Sequence, residues 1–130
     1  MATIEKFEEL DIWQEARELS LEIYNLTLLG TFSRDKDLSW QIRKSSGSIM
    51  DNIAEGFERD GKNEFIQFLS IAKGSAGETR SQLYRALDRK HISNEQFERL
   101  KDKSLRLIKK ISKFIDYLKI TPLRGNKYKN

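Results

Sequence analysis

The stretch Gln41–Lys90, QIRKSSGSIMDNIAEGFERDGKNEFIQFLSIAKGSAGETRSQLYRALDRK, decides the fold. Leading into its first half, Leu38, Ile42, Ser45, Ile49 and Ile53 recur at intervals of three and four. Phe65, Leu69, Ala72, Ala76, Thr79, Leu83 and Leu87 do the same in its second half. Residues so spaced share one face of a helix, whereas a strand alternates every second residue. The polar segment Glu58-Arg59-Asp60-Gly61 separates the two runs, with Gly56 and Gly61 bracketing the reversal. Either Asp60 or Gly61 can start the second helix. The stretch therefore reads as a helical hairpin.

On the N-terminal side, Ile12, Ala16, Leu19, Ile23 and Leu26 form another helical stripe. Asp11 is its expected N-cap, with Gln14 completing a capping box, and Gly30 its end. Phe7 and Leu10 are expected to tuck the lead segment against the bundle. On the C-terminal side, Ser93-Asn94-Glu95-Gln96 is a second capping box, and Ile92 and Phe97 sit at the spacing of a hydrophobic staple. Phe97, Leu100, Ser104, Leu107, Ile108, Ile111, Ile115 and Leu118 face inward, and Thr121-Pro122 stops that helix. Helices of similar length joined by short connections pack antiparallel. The expected fold is all-α, an up-down-up-down four-helix bundle over residues 1–120, with helices at about 11–29, 37–57, 62–89 and 93–120. Residues 121–130 read as a basic, disordered tail.

The chain of 130 residues suits one domain and contains no cysteine, which excludes disulfides and thiolate metal sites. It begins without a signal-like apolar run and holds no membrane-length apolar segment, so a soluble, cytoplasmic protein with no membrane partner is expected. Gly56-Phe57-Glu58-Arg59-Asp60-Gly61-Lys62-Asn63 falls one residue short of a phosphate-binding loop. Such a loop follows a strand and needs a hydroxyl where Asn63 stands, and Glu58 and Asp60 would repel phosphate. The single His91 cannot supply the two Glu-x-x-His motifs of a di-iron bundle, and no strand–turn–helix context presents a serine nucleophile. His91 reads as a solvated loop or helix-end residue. No catalytic residue, metal site or cofactor is expected.

Two surfaces stand out. Arg99, Lys103, Arg106, Lys110 and Lys113 share one face of the last helix, and residues 101–130 hold ten basic against two acidic residues. Such a rod can follow the backbone of RNA or DNA; the alternative is an ordinary solvated face. Second, Trp13, Tyr24 and Leu28 on the first helix, with Phe68 and Ile71 on the third, exceed what one core needs. They are read as an oligomer interface, with a wide contact inside the bundle as the alternative. Within Lys44-Ser45-Ser46-Gly47-Ser48, Gly47 implies close helix approach or else a tolerated surface glycine.

Asn52-Ile53-Ala54-Glu55-Gly56-Phe57, then Glu64-Phe65-Ile66-Gln67-Phe68-Leu69, and the opening Leu10-Asp11-Ile12-Trp13-Gln14-Glu15-Ala16 resemble a known family. It comprises the small bacterial four-helix-bundle proteins encoded in 23S rRNA intervening sequences, also called ribosomal-protein-like. The accessory variability proteins of diversity-generating retroelements are similar. The resemblance spans about residues 7–119. It implies an antiparallel bundle assembling as a homopentamer, without enzymatic activity, and nucleic-acid binding. In the retroelement branch the partner would also include a reverse transcriptase; the excess apolar surface on the first and third helices reads alternatively as that of a protein-interaction scaffold. Asn52, Glu55 and Gly56 are the family's signature positions, which can equally serve the turn and its packing.

Overall fold

The computed structural model describes residues 3–121 and 128–129. Four helices dominate: α1 (Asp11–Thr27), α2 (Lys36–Glu58), α3 (Lys62–Asp88) and α4 (Asn94–Ile120). Two-residue strands β1 (Thr3–Ile4) and β2 (Tyr128–Lys129) pair antiparallel, joining the two ends of the chain. Of the expected disordered tail, Thr121 is buried and Tyr128–Lys129 lies in this ladder; residues 122–127 and Asn130 fall outside the described residues. No helix among the described residues is long and apolar enough to cross a membrane.

Contacts between helices run in opposite senses along each pair, as an antiparallel bundle requires. Across α2 and α3, Gln41 meets Arg85, Ser45 meets Gln82, and Ser48 meets Ser75. Across α3 and α4, Tyr84 stacks edge-on to Phe97 and Phe65 to Phe114, while Lys62 donates to the Thr121 carbonyl at 2.7 Å. Across α1 and α4, Glu22 meets Arg99 and Asp11 meets Lys110. The inward stripes read from the sequence form one core in which Leu19, Ile23, Leu38, Ile42, Ile49, Ile53, Leu69 and Leu83 are fully buried.

The caps at Ser93 and Gly61 follow the sequence, that at Asp35 was not read from it, and two other ends depart from it. Ser93 and Gln96 make the reciprocal capping box at 2.9 and 3.0 Å. Gly61 is the N-cap of α3, and Asp35 caps α2 by accepting from the Leu38 amide at 3.2 Å. Asp11, by contrast, is the first helical residue of α1, not its cap; Leu10 holds the cap position and Gln14 donates to the Glu8 carbonyl. The end of α3 was not legible at all. Lys90 takes a left-handed φ of 60°, with its amide bonded to Leu87 O and that of His91 to Ala86 O. This is a Schellman ending built on lysine where glycine is usual.

Gly47 is the tolerated surface glycine: an added Cβ would meet nothing within 4 Å. The close approach of α2 to α3 is made by its neighbours. Ser45 Oγ lies 2.9 Å from Thr79 Oγ1 and 2.5 Å from Gln82 Oε1, all three residues buried. A buried polar cluster of this kind favours one helix register, since a slip would strand hydroxyls in the core.

Candidate nucleic-acid interface

Asp11, Glu15 and Glu22 recur at helical spacing along α1, and this acidic edge lies against the basic edge of α4. Arg99 and Lys103 both donate to Glu22 Oε1, at 2.9 and 2.5 Å. Arg106 Nε is 3.4 Å from Glu15, and Lys110 bonds Asp11 at 2.6 Å and Glu15 as well. Hydrogen bonding from Lys110 lowers the pKa of Asp11. Burial opposes ionisation of Glu22, yet hydrogen bonds from Lys103 and Arg99 outweigh it and lower its pKa too. The same pairing, led by the Asp11 hydrogen bond, raises Lys110.

Four of the five predicted nucleic-acid contacts are thus engaged in a seam between α1 and α4, though Arg99 and Arg106 keep 62% and 68% of their side chains exposed. The acidic partner was present in the sequence as the Asp11/Glu15/Glu22 recurrence; what periodicity could not supply was that the two edges meet. Among the described residues, Lys113, the fifth, has no carboxylate within 4 Å; neither have Lys109 and Lys119 on α4 nor Lys73 and Arg80 on α3. They are not the only cations among the described residues without an ion-pair partner, since Arg17, Arg34, Lys36, Arg43, Lys44, Lys62, Arg85 and Lys90 also lack one, but these five stand together on α3 and α4.

At one end of the bundle a second polar cluster ties the loops together. His91 is only 9% exposed, stacks on Phe32 at 5.0 Å, and bridges Thr31 Oγ1 and Asp35 Oδ2 at 2.8 Å each. It is not the solvated residue that the sequence implied, because the Schellman ending turns it back onto the α1–α2 connection. Arg89 reaches the same Asp35 oxygen at 2.7 Å. Hydrogen bonds from His91 and Arg89 hold the Asp35 carboxyl at a pKa of about 2, below its ordinary 3.8.

With that geometry in view, the comparisons with known proteins are informative. A model of the 23S rRNA-intervening sequence protein family matches residues 8–113. The chain belongs to this family. A solved protein of unknown function from the S23 ribosomal protein family of Bacteroides thetaiotaomicron is similar, with 27% identity and a TM-score of 0.75. The match covers 81% of this chain and 95% of that one. No curated protein matches the chain.

Asn52, Glu55 and Gly56, the positions that the resemblance singles out, lie in the last two turns of α2. An added Cβ on Gly56 would stand 2.6 Å from Phe68 Cβ and 2.9 Å from Phe65 Cδ1, so only glycine fits without a shift. Asn52 donates to the Ser48 carbonyl and hydroxyl at 2.8 Å, and Glu55 pairs with Arg59 at 2.8 Å. All three have local structural partners. Of the residues read as an oligomer interface, Tyr24, Leu28 and Ile71 are exposed, whereas Trp13 packs on Phe7 and Phe68 lies beneath Arg59. The sequence reading missed Trp40, which is 62% exposed with Lys44 over its ring. The signal was there: Trp40 lies outside the apolar stripe of α2. Nearby, Arg43 lies over Tyr24 at 4.9 Å and donates to Thr27 at 2.7 Å.

Proposed function

We propose that this protein is a non-enzymatic, self-associating four-helix bundle that binds the phosphate backbone of nucleic acid through a basic surface. One observation carries the reading: α4 holds eight basic and four acidic residues, and the seam with α1 does not absorb the excess. Lys73, Arg80, Lys109, Lys113 and Lys119 have no acidic partner among the described residues. A cationic surface without internal counter-charge attracts polyanions and releases their condensed counterions on binding. The non-enzymatic part is supported by the carboxyls of Asp11, Glu22 and Asp35, whose pKa values move down. A general acid working near neutral pH needs the opposite shift.

A titration of fluorescein-labelled RNA and DNA oligonucleotides, followed by anisotropy from 50 to 200 mM salt, tests this. Binding should be present at 50 mM salt and fall log-linearly with salt, by at least about tenfold over this range. Failure to bind at 50 mM rejects the reading.

A second reading, a protein-interaction platform such as an accessory subunit of a reverse transcriptase, is favoured by the exposed Tyr24, Leu28 and Trp40 near the α1–α2 junction. Exposed aromatic and aliphatic residues grouped in this way mark association surfaces. Light scattering at micromolar concentration should give a mass that is a multiple of the 15.3 kDa chain. Replacing Trp40 and Tyr24 by Ser should lower it. A monomer in the wild type would remove self-association from the account.

A further inference from the structure

We infer that the nucleic-acid backbone runs along the groove between α3 and α4, on the flank of α4 away from the α1 seam. This deepens the nucleic-acid reading above and rests on it. The groove encloses about 570 Å³. Three cations line it: Lys73 and Arg80 from α3 and Lys119 from α4. Lys109, exposed three residues before the lining Ser112, stands on the same side of α4. None of the four has a carboxylate within 4 Å among the described residues. Asp116 is the single acidic residue lining the groove, so the cations outnumber it.

The floor is the second observation. Gly74 and Gly77 lie in the middle of α3, where glycine is the least favourable residue after proline. Gly56 is explained by the side chains pressed against it; these two are not, because a Cβ at either would meet nothing within 4 Å. The same holds for Gly47, so the missing contact alone marks no site; what sets Gly74 and Gly77 apart is that both line the groove between its cations. An extended backbone lying there accounts for them, since its close approach favours a floor with few side chains. Ser70 and Ser112, also lining the groove, offer hydroxyl donors to phosphate oxygens between the cations. Aromatic side chains are absent from the lining, which fits contact with phosphates and sugars in place of base stacking.

The test compares three full-length variants by the anisotropy titration, each checked by circular dichroism and light scattering. One combines Lys73→Gln, Arg80→Gln, Lys109→Gln and Lys119→Gln. The second combines Gly74→Leu and Gly77→Leu, which fills the groove while favouring helix. The third, Arg99→Gln with Arg106→Gln, alters the exposed rim of the seam. The charge variant should bind RNA and DNA at least about 100-fold more weakly at 50 mM salt, with the salt slope reduced by about 3. The leucine variant should lose at least about tenfold without losing helix, and the rim variant should stay within about threefold of wild type.

If the wild type binds but the rim variant alone is impaired, the groove is overturned while the nucleic-acid reading stands. If the wild type does not bind, both fail. Displacement of RNA by polyglutamate of equal charge, as efficient as by unlabelled RNA, overturns the assignment in favour of an acidic protein partner. A change of assembly mass in the leucine variant overturns it in favour of a contact between copies.

Discussion

The α1–α4 seam and the α3–α4 groove share a helix and a residue type, yet one is sealed and the other open. In the seam, Lys103 and Lys110 find Glu22, Glu15 and Asp11, and the carboxyls of Asp11 and Glu22 are held ionised. In the groove, Lys73, Arg80 and Lys119 find only one acidic neighbour in the lining, and the rest of that lining is glycine, serine and isoleucine. The lesson is that a basic stripe is not yet a binding site. Charge counts toward a partner only after the fold has cancelled what it can internally.

The glycines give the largest expected effect on this comparison. Gly56→Ala should destabilise by about 2–3 kcal/mol, because Phe65 and Phe68 must move out of a packed seam. Gly77→Ala should stabilise by up to about 1 kcal/mol through helix propensity alone. Urea unfolding of the two variants checks both signs; equal effects would mean that the groove floor is as closely packed as the hairpin.

A smaller effect belongs to the end of the bundle, where a carboxylate is sealed by the loops. Asn retains capping ability at position 35 but loses the charge, so Asp35→Asn should cost about 1 kcal/mol at pH 7, solvent partly screening the pairs that it breaks. Because the folded pKa lies below the ordinary value, the contribution is full above about pH 4 and fades as pH falls through about 2. Unfolding curves of wild type and variant across that window should converge at the acid end. A gap that persists there would assign the effect to packing around Phe32 and His91.

The seam itself gives an effect of similar size at low salt and the smallest of all in high salt. Glu15→Gln with Glu22→Gln should cost about 1 kcal/mol at low salt, since exposed and half-exposed pairs contribute only a few tenths each. In 0.5 M salt the cost should shrink to a few tenths. Lys73→Gln and Lys119→Gln should leave stability unchanged at either ionic strength, as befits cations with no partner to lose.

The sequence carried the bundle because three- and four-residue spacing is a local property, read directly from Leu38–Ile53 and Phe65–Leu87. It carried the Ser93–Gln96 box for the same reason. It did not carry the latch of His91, Asp35 and Thr31, whose members lie 56 and 60 residues apart and meet only through a left-handed lysine. Nor did it locate the uncancelled cations, because Lys73 and Arg80 on α3 join Lys119 only across two helices. Glycine was ambiguous in sequence: Gly47 looked like the close contact, and Gly56 turned out to be one. Exposure was legible for only part of the apolar surface, since Tyr24, Leu28 and Ile71 are exposed while Trp13 is covered by the lead residue Phe7.

The most direct measurement is the slope of log affinity against log salt for a single-stranded RNA, taken on the wild type and on the variant lacking charge at Lys73, Arg80, Lys109 and Lys119. A wild-type slope steeper by about 3, with assembly mass unchanged, is the result predicted here. Two superimposable slopes would mean that the open groove contacts no phosphate, and the contrast between sealed and open cations would lose its functional meaning.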